Sequence, residues 1–316
     1  MAEKENPSKT PRKITVYPKL KMGQVFHASW LTFKDHWSRL LAIQGIAGGV
    51  VLGLYFVFTA VLRYINKYPE LLQGGYRDEL PLVVGAAGVV TIALLITYVW
   101  IIAASALFVY RAGSGEEPKV GTVLRDSWRG IGHIFLYYLL IALVLGFVIA
   151  VIAIPLAPYL YSLRNAEDAR ILLLVLIVLL GFAGFRIVSW WLWVKLGFGP
   201  FAVFAEKKDA FKALSRSWKL SVKNFWRVFG VLVAIQVGVY IFTRILAFVV
   251  NLGTRLEIPD LLSADIFNLD AASTQGLVFM GILAAGFQVI RGLTLWPAWG
   301  SLYKQLGKLS NKKSDR

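Results

Sequence analysis

Long runs of apolar residues alternate with short polar segments along this chain. Leu80 to Tyr110 carries no charged side chain, and neither does Ile134 to Leu163. Each run exceeds the ~20 residues that take a helix across ~30 Å of hydrocarbon. The pattern predicts six spanning helices, at about 40–64, 82–110, 133–158, 171–196, 228–250 and 276–300. The expected fold is all-α, a polytopic transmembrane bundle occupying 23–306 between basic, disordered tails at 1–22 and 307–316. The first tail contains Pro7, Pro11 and Pro18 and no apolar stretch, so it does not read as a cleaved signal peptide.

The polar segments hold a second pattern. Gly23-Gln-Val-Phe26-His-Ala-Ser29-Trp30 recurs as Gly121-Thr-Val-Leu124-Arg-Asp-Ser127-Trp128, and again as Phe211-Lys-Ala-Leu214-Ser-Arg-Ser217-Trp218. Each copy precedes an odd-numbered span, and seven residues after its tryptophan comes another aromatic, Trp37, Phe135 or Phe225. The predicted unit is a short helix followed by a transmembrane hairpin, repeated over about 23–110, 121–196 and 211–300. In the first copy Phe26, Trp30, Phe33 and Trp37 fall on one helical face, with Lys34, Asp35 and Arg39 elsewhere. Two readings of these aromatics stay open. The helices lie in the membrane interface and bind anionic lipid, with Trp30, Trp37, Trp128, Trp218 and Trp226 as anchors, or the stripes pack on their own bundle.

Composition agrees with a lipid solvent: 57% of the 316 residues are hydrophobic and 16% charged, against about 25% charged in soluble domains. Charge then sets the orientation. The segments 1–40, 111–130, 195–227 and 301–316 hold 25 Lys and Arg against 9 acids, while the opposite loops hold 6 bases and 9 acids. Basic loops stay in the cytoplasm, which predicts a multi-pass plasma-membrane protein with both termini inside. The net charge of +16 is thereby largely a topology signal. It points to anionic headgroups at the cytoplasmic face as partners, with room for a protein partner, and away from nucleic acid.

The stretch Phe198-Gly-Pro200-Phe-Ala-Val-Phe-Ala-Glu206, with Ala213-Leu214-Ser-Arg-Ser217-Trp218-Lys-Leu220 and Asn224-Phe-Trp226-Arg227, resembles the membrane domain of bacterial glycerophosphodiester phosphodiesterases and related six-span bacterial proteins. Pro297 with Leu302-Tyr303-Lys304 is similar to that family's closing motif. The resemblance implies a prokaryotic plasma-membrane protein with in-plane helices between hairpins. The family's phosphodiesterase barrel would need about 250 residues and a metal-binding set, and no segment outside 23–306 is long enough for it, so the activity is not expected to carry over.

Few residues could carry chemistry. Cysteine is absent, and His27, His36 and His133 lack the spacing of a ligand set, so neither a metal nor a cofactor is expected. Arg186, Arg244 and Arg291 lie in spans four, five and six, where a charge is costly and therefore a functional candidate. Arg186, deepest by position, could hold a lipid phosphate or anionic solute; the structural alternative, which the sequence favours, has it satisfying carbonyls at a broken helix. Gly197, Gly199 and Pro200 predict a kink at the end of span four. Glu206 follows as a candidate for an ion pair with Lys207 or Arg216. The runs Gly45-Ile-Ala-Gly48-Gly49 and Gly85-Ala-Ala-Gly88 read as packing surfaces. The expectation is a non-enzymatic protein that organises lipid, envelope or partner proteins. A transporter for an anionic or lipid substrate is the alternative, and a lipid-directed membrane enzyme comes last for want of a catalytic set.

Overall fold

A computed structural model describes residues 22–68, 80–162, 168–222, 224–254 and 274–311, with side chains over 22–61, 63–64, 67–68, 81–151, 181–222, 224–245, 248, 278 and 281–307. The regular elements among the described residues are all helices: α1 (Met22–Lys67), α2 (Leu80–Gly113), α3 (Val120–Trp128), α4 (Ile131–Ser162), α5 (Asp168–Leu196), α6 (Gly199–Ala205), α7 (Ala210–Val222), α8 (Phe225–Thr254) and α9 (Thr274–Asn311). Among the described residues, five stretches are long and apolar enough to cross a membrane, Met22–Val61, Pro81–Gly113, Ile131–Val151, Gly181–Ala205 and Phe225–Ile245. The chain is accordingly a helical protein of multi-span membrane type. The segment 276–300, expected as the last span, lies inside α9.

Helix ends differ from the expected ones in one direction. Helix α1 begins at Met22, inside the expected tail, and α9 continues to Asn311, past the expected boundary at 307. The reason is that hydropathy reports where side chains turn apolar, whereas a helix ends where its backbone hydrogen bonds end. The first 18 residues of α1 join the expected short helix to the first span, with a break at His36 (φ −131°, ψ 15°). In the other two places the short helix is separate, as α3 before α4 and α7 before α8.

The three short segments bury corresponding positions. Val25 and Ser29, Val123 and Ser127, and Ala213 and Ser217 are all enclosed, each pair four residues apart and so on one helical face. Their small side chains let the short helices press against the bundle. The Trp after each serine is thereby turned about 100° away.

The first and last helices clasp one another. Gly48 of α1 lies against Val289 and Ala285 of α9, Gly281 of α9 against Tyr55 and Leu52, and Gly292 against the Gln44 side chain, a close approach that small residues permit. Gln44 donates to Ser105 of α2 at 2.8 Å, tying a third helix to the pair. Gly45, Gly49, Gly85 and Gly88, expected on packing surfaces, meet no neighbour within 4 Å. Helix rotation decides this, and a helix apolar all round encodes no rotation.

The packed core sits at one end of the bundle. Leu40, Ile43, Phe108, Ile134, Tyr137, Phe198, Phe201, Leu232 and Leu302 are fully enclosed there. The same end carries the short helices and the basic connections at 111–130 and 206–227.

Candidate functional site

The site grows from the break between α5 and α6. The ladder of α5 stops at Leu196, and Pro200 sits in the first turn of α6, where a missing N–H costs nothing. The carbonyls left over must find partners, because the segment is buried. Ser217 of α7 donates to the Lys195 carbonyl at 2.9 Å and accepts from the Phe198 N–H at 3.1 Å. Ser221, one turn on, stands 3.2 Å from the same carbonyl. Tyr137 of α4 donates to the Leu196 carbonyl. A Cβ at Gly199 would collide with the Tyr137 ring, and one at Gly197 with Trp299. The two glycines thus let aromatic rings from α4 and α9 close on the break.

Glu206 follows α6 and collects three partners. It accepts from Tyr303 of α9 at 2.6 Å and from Arg216 of α7 at 2.8 Å, and pairs with Lys208 at 2.9 Å. Burial pushes its carboxyl up, but the bonds from Tyr303, Lys208 and Arg216 together outweigh burial and hold it below the usual glutamate range. The Tyr303 hydroxyl is pushed up, by burial first and then by the adjacent carboxylate. Expected as a simple ion pair, Glu206 is the junction of three elements. Lys207, also expected as its partner, instead takes a positive φ of 49°, a region that side chains other than glycine rarely occupy.

Beside this junction lies an open cavity of about 370 Å³ between the end of α2, the α3–α4 connection and residues 203–208. Its polar wall is Arg111, Asp126, Arg129, His133, Lys207 and Lys208. Arg111 donates to Asp126 at 2.8 Å and holds that carboxyl below its ordinary range. Phe204 forms part of the apolar floor and lies against Gly130, where a Cβ would meet its ring at 2.6 Å.

The expected aromatic anchors point outward at the same end. Trp30, Trp37, Trp128, Trp218 and Trp226 are 59%, 53%, 54%, 40% and 77% exposed. Trp128 meets Trp100 of α2 edge-on at 5.3 Å, and Trp218 meets Trp191 of α5 in the same way at 5.3 Å. Trp100 donates to the Leu124 carbonyl at 3.0 Å. Lys195, not singled out by its sequence context, is buried with its ammonium 5.2 Å from the Trp218 ring and 5.1 Å from Phe225. Its place directly after the Trp190–Trp193 cluster is the signal that could have marked it.

The three candidate arginines lie on three helices. Arg186, expected from its depth along span four to be the hardest to bring to water, is exposed on α5 and not enclosed by the described neighbouring helices. Arg244 is likewise exposed, lying over Tyr240 at 5.1 Å. Arg291 is half-buried, over the Trp193 ring at 5.9 Å, with Arg186 and the Tyr98 hydroxyl nearby. Tyr98 in turn accepts from Gln288 at 3.2 Å. None of Arg186, Arg244 and Arg291 meets Glu206 or Pro200 in the contacts of the described residues. Those residues also contain no group of three or more His, Asp and Glu placed to hold a metal ion.

Neither the curated proteins nor the solved structures contain a match to this chain. Residues 129–290, just over half of its length, match the family model described as Domain of unknown function (DUF7847). That region runs from the α3–α4 connection through the α5–α6 break and the Glu206 junction to the middle of α9, and on this extent the chain belongs to the DUF7847 family.

Proposed function

We propose that this is a six-span plasma-membrane protein, with both termini cytoplasmic, that organises membrane lipid at its cytoplasmic face and is not an enzyme. The observation that carries this reading is the outward exposure of Trp30, Trp128 and Trp218 on short helices at the basic end of the bundle. Tryptophan rests best where one ring edge meets headgroups and the other hydrocarbon. Basic residues alternate with the rings, Lys212, Arg216 and Lys219 on α7 among them, as in helices that lie on anionic surfaces. On this reading the chain is three units of an in-plane helix plus a hairpin, α9 completing the sixth span. That plan is similar to the one expected from the membrane-domain resemblance.

The lipid test is native mass spectrometry of the protein released from nanodiscs of phosphatidylcholine and phosphatidylglycerol. Wild type is expected to retain phosphatidylglycerol selectively, and the triple variant Trp30→Ala, Trp128→Ala, Trp218→Ala to lose that selectivity. Equal retention by both would overturn the reading. Orientation is tested separately: the chain has no cysteine, so a thiol introduced at Ser8 reports its side of the membrane by labelling in intact cells.

One observation favours a second reading, a transporter for an anionic or lipid substrate. Arg186 and Arg291 stand near each other on α5 and α9, at about 15 and 18 Å along their helices from Leu196 and Tyr303. Two cations at similar depth are an anion pathway in outline. Flux of an anionic solute or lipid in proteoliposomes, lost on Arg186→Ala and Arg291→Ala, would establish it in place of the first.

A further inference from the structure

We infer that the cavity between α2, the α3–α4 connection and residues 203–208 is a phosphate-binding site, taking the headgroup of an anionic phospholipid or a soluble phosphate ester. Its volume of about 370 Å³ falls within the range of small-molecule sites. Sorting the charges around it decides the ligand's sign. Asp126, in the wall, is engaged by Arg111 at 2.8 Å. Glu206, next to the wall, is engaged by Lys208 at 2.9 Å and Arg216 at 2.8 Å. Asp209 accepts from the Lys212 backbone N–H at 2.8 Å and pairs with the Lys212 ammonium at 2.9 Å. Each of these carboxylates therefore has a cation beside it, Arg111 serving Glu116 at 3.8 Å as well as Asp126. Arg129 and Lys207 make no ion pair within 4.0 Å among the described residues, yet both line the cavity with His133. The unspent charge in the wall is positive, and its donors are of the kinds that grip phosphate oxygens.

Two further features suit a built site. Lys207 is the described non-glycine residue with a positive φ, and backbone held in that region concentrates at ligand clamps. The turn is fixed on both sides of it by bonds from the Glu206 and Lys208 N–H groups to the Ala202 carbonyl, at 3.1 and 3.4 Å. The Phe204 floor closes on Gly130, the residue just before the 32-residue helix α4, beside the positive pole of that helix. The outward ring of Trp128 stands two residues from Gly130, so the cavity opens beside the surface proposed to meet lipid. A basic recess between membrane helices at such a face is a headgroup receptor in its chemistry.

The lipid source of the phosphate rests on the reading that this end faces an anionic leaflet; the phosphate site itself does not. The full chain is placed in phosphatidylcholine nanodiscs with or without phosphatidylglycerol, and bound lipid is counted by native mass spectrometry. In a second arm, inorganic phosphate and glycerol 3-phosphate are titrated calorimetrically into the lipid-free-of-anion sample. The double variant Arg129→Gln, Lys207→Gly is expected to weaken binding on the order of tenfold or more, with Arg244→Gln unchanged as a distant control. Binding in the first arm alone assigns a lipid headgroup, and binding in the second a soluble phosphate. Lys207→Gly suits the left-handed turn, so that single variant carries the test should Arg129→Gln fail to fold. Trp128→Ala separates the two ideas: it lowers lipid selectivity in the first arm and leaves phosphate titration intact. Equal binding by wild type and the Lys207→Gly variant, or no phosphate-bearing ligand on wild type in either arm, overturns the site.

Discussion

Phe198, Phe201 and Leu302 at the basic end are fully enclosed, while Leu143 and Phe147 of α4 and Phe182 of α5 stand 61%, 70% and 62% exposed. The same contrast holds for whole segments: 56% of the apolar window in 181–205 is buried within the chain, against 11% of that in 131–151. In water the second region would be an aggregation surface. In lipid, whose tails are as apolar as leucine, leaving it unpacked costs little, and helices associate only where close packing or hydrogen bonds favour it. The basic end supplies both. It has a broken helix whose backbone groups need partners, and glycines that admit rings. Specific packing is densest where polar groups demand it, and away from that end close contact continues in the clasp of α1 and α9.

Substitutions in the two regions should separate accordingly. The largest effect is expected from Gly199→Leu, which drives a side chain into the Tyr137 ring and should cost about 3 kcal/mol, the upper part of the overpacking range; denaturant titration of the reconstituted protein measures it. Tyr137→Phe removes the donor to the buried Leu196 carbonyl and should cost about 1–3 kcal/mol, the penalty of an orphaned buried acceptor, in the same titration.

Glu206→Gln comes next, with a signature in pH. Because the folded carboxyl is depressed relative to its unfolded value, its contribution is complete above the unfolded glutamate range, ~4.3, and is lost as pH falls through the lower folded value. Wild-type Tm should therefore fall with acidification across that window more steeply than the variant's. An identical slope in both would remove Glu206 from the account of this junction.

Lys207→Gly is expected to move stability the other way, raising it by about 1 kcal/mol through relief of a left-handed backbone. Phe147→Ala, in the unpacked half, should change stability by less than about 0.5 kcal/mol. A loss as large as that of Tyr137→Phe would show that α4 packs against something there and would break the comparison.

Legibility followed the same divide. The helices, and five of the six expected spans, could be read because long uncharged runs admit few alternatives to helix in a membrane. The kink at Pro200 was equally readable, since a missing N–H and two nearby glycines are local facts. What the repeat left open was which of its two regular residues faces inward. Ser29, Ser127 and Ser217 recur as faithfully as the tryptophans beside them, and the serines are the ones enclosed. Which way Arg186 faces was hidden for a related reason: amphipathicity fixes a helix's rotation, and α5 is apolar on every side around it. Tyr303 and Arg216 meet at Glu206 from positions 97 and 10 residues away, a convergence with no sequence period to announce it.

By itself, then, the sequence determined that this chain is helical, that its solvent is largely lipid, that positive charge gathers in certain connections and that one helix breaks at Pro200. Those properties are local, set by residues within a turn or two of each other. Only the tertiary structure decided that the serines pack and the tryptophans face out, that Glu206 draws three elements together, and that Arg129 and Lys207 are left beside a cavity with every neighbouring acid already paired. These depend on rotations and distances between helices, and in a medium that does not distinguish one apolar face from another, close contacts and hydrogen bonds alone fix them.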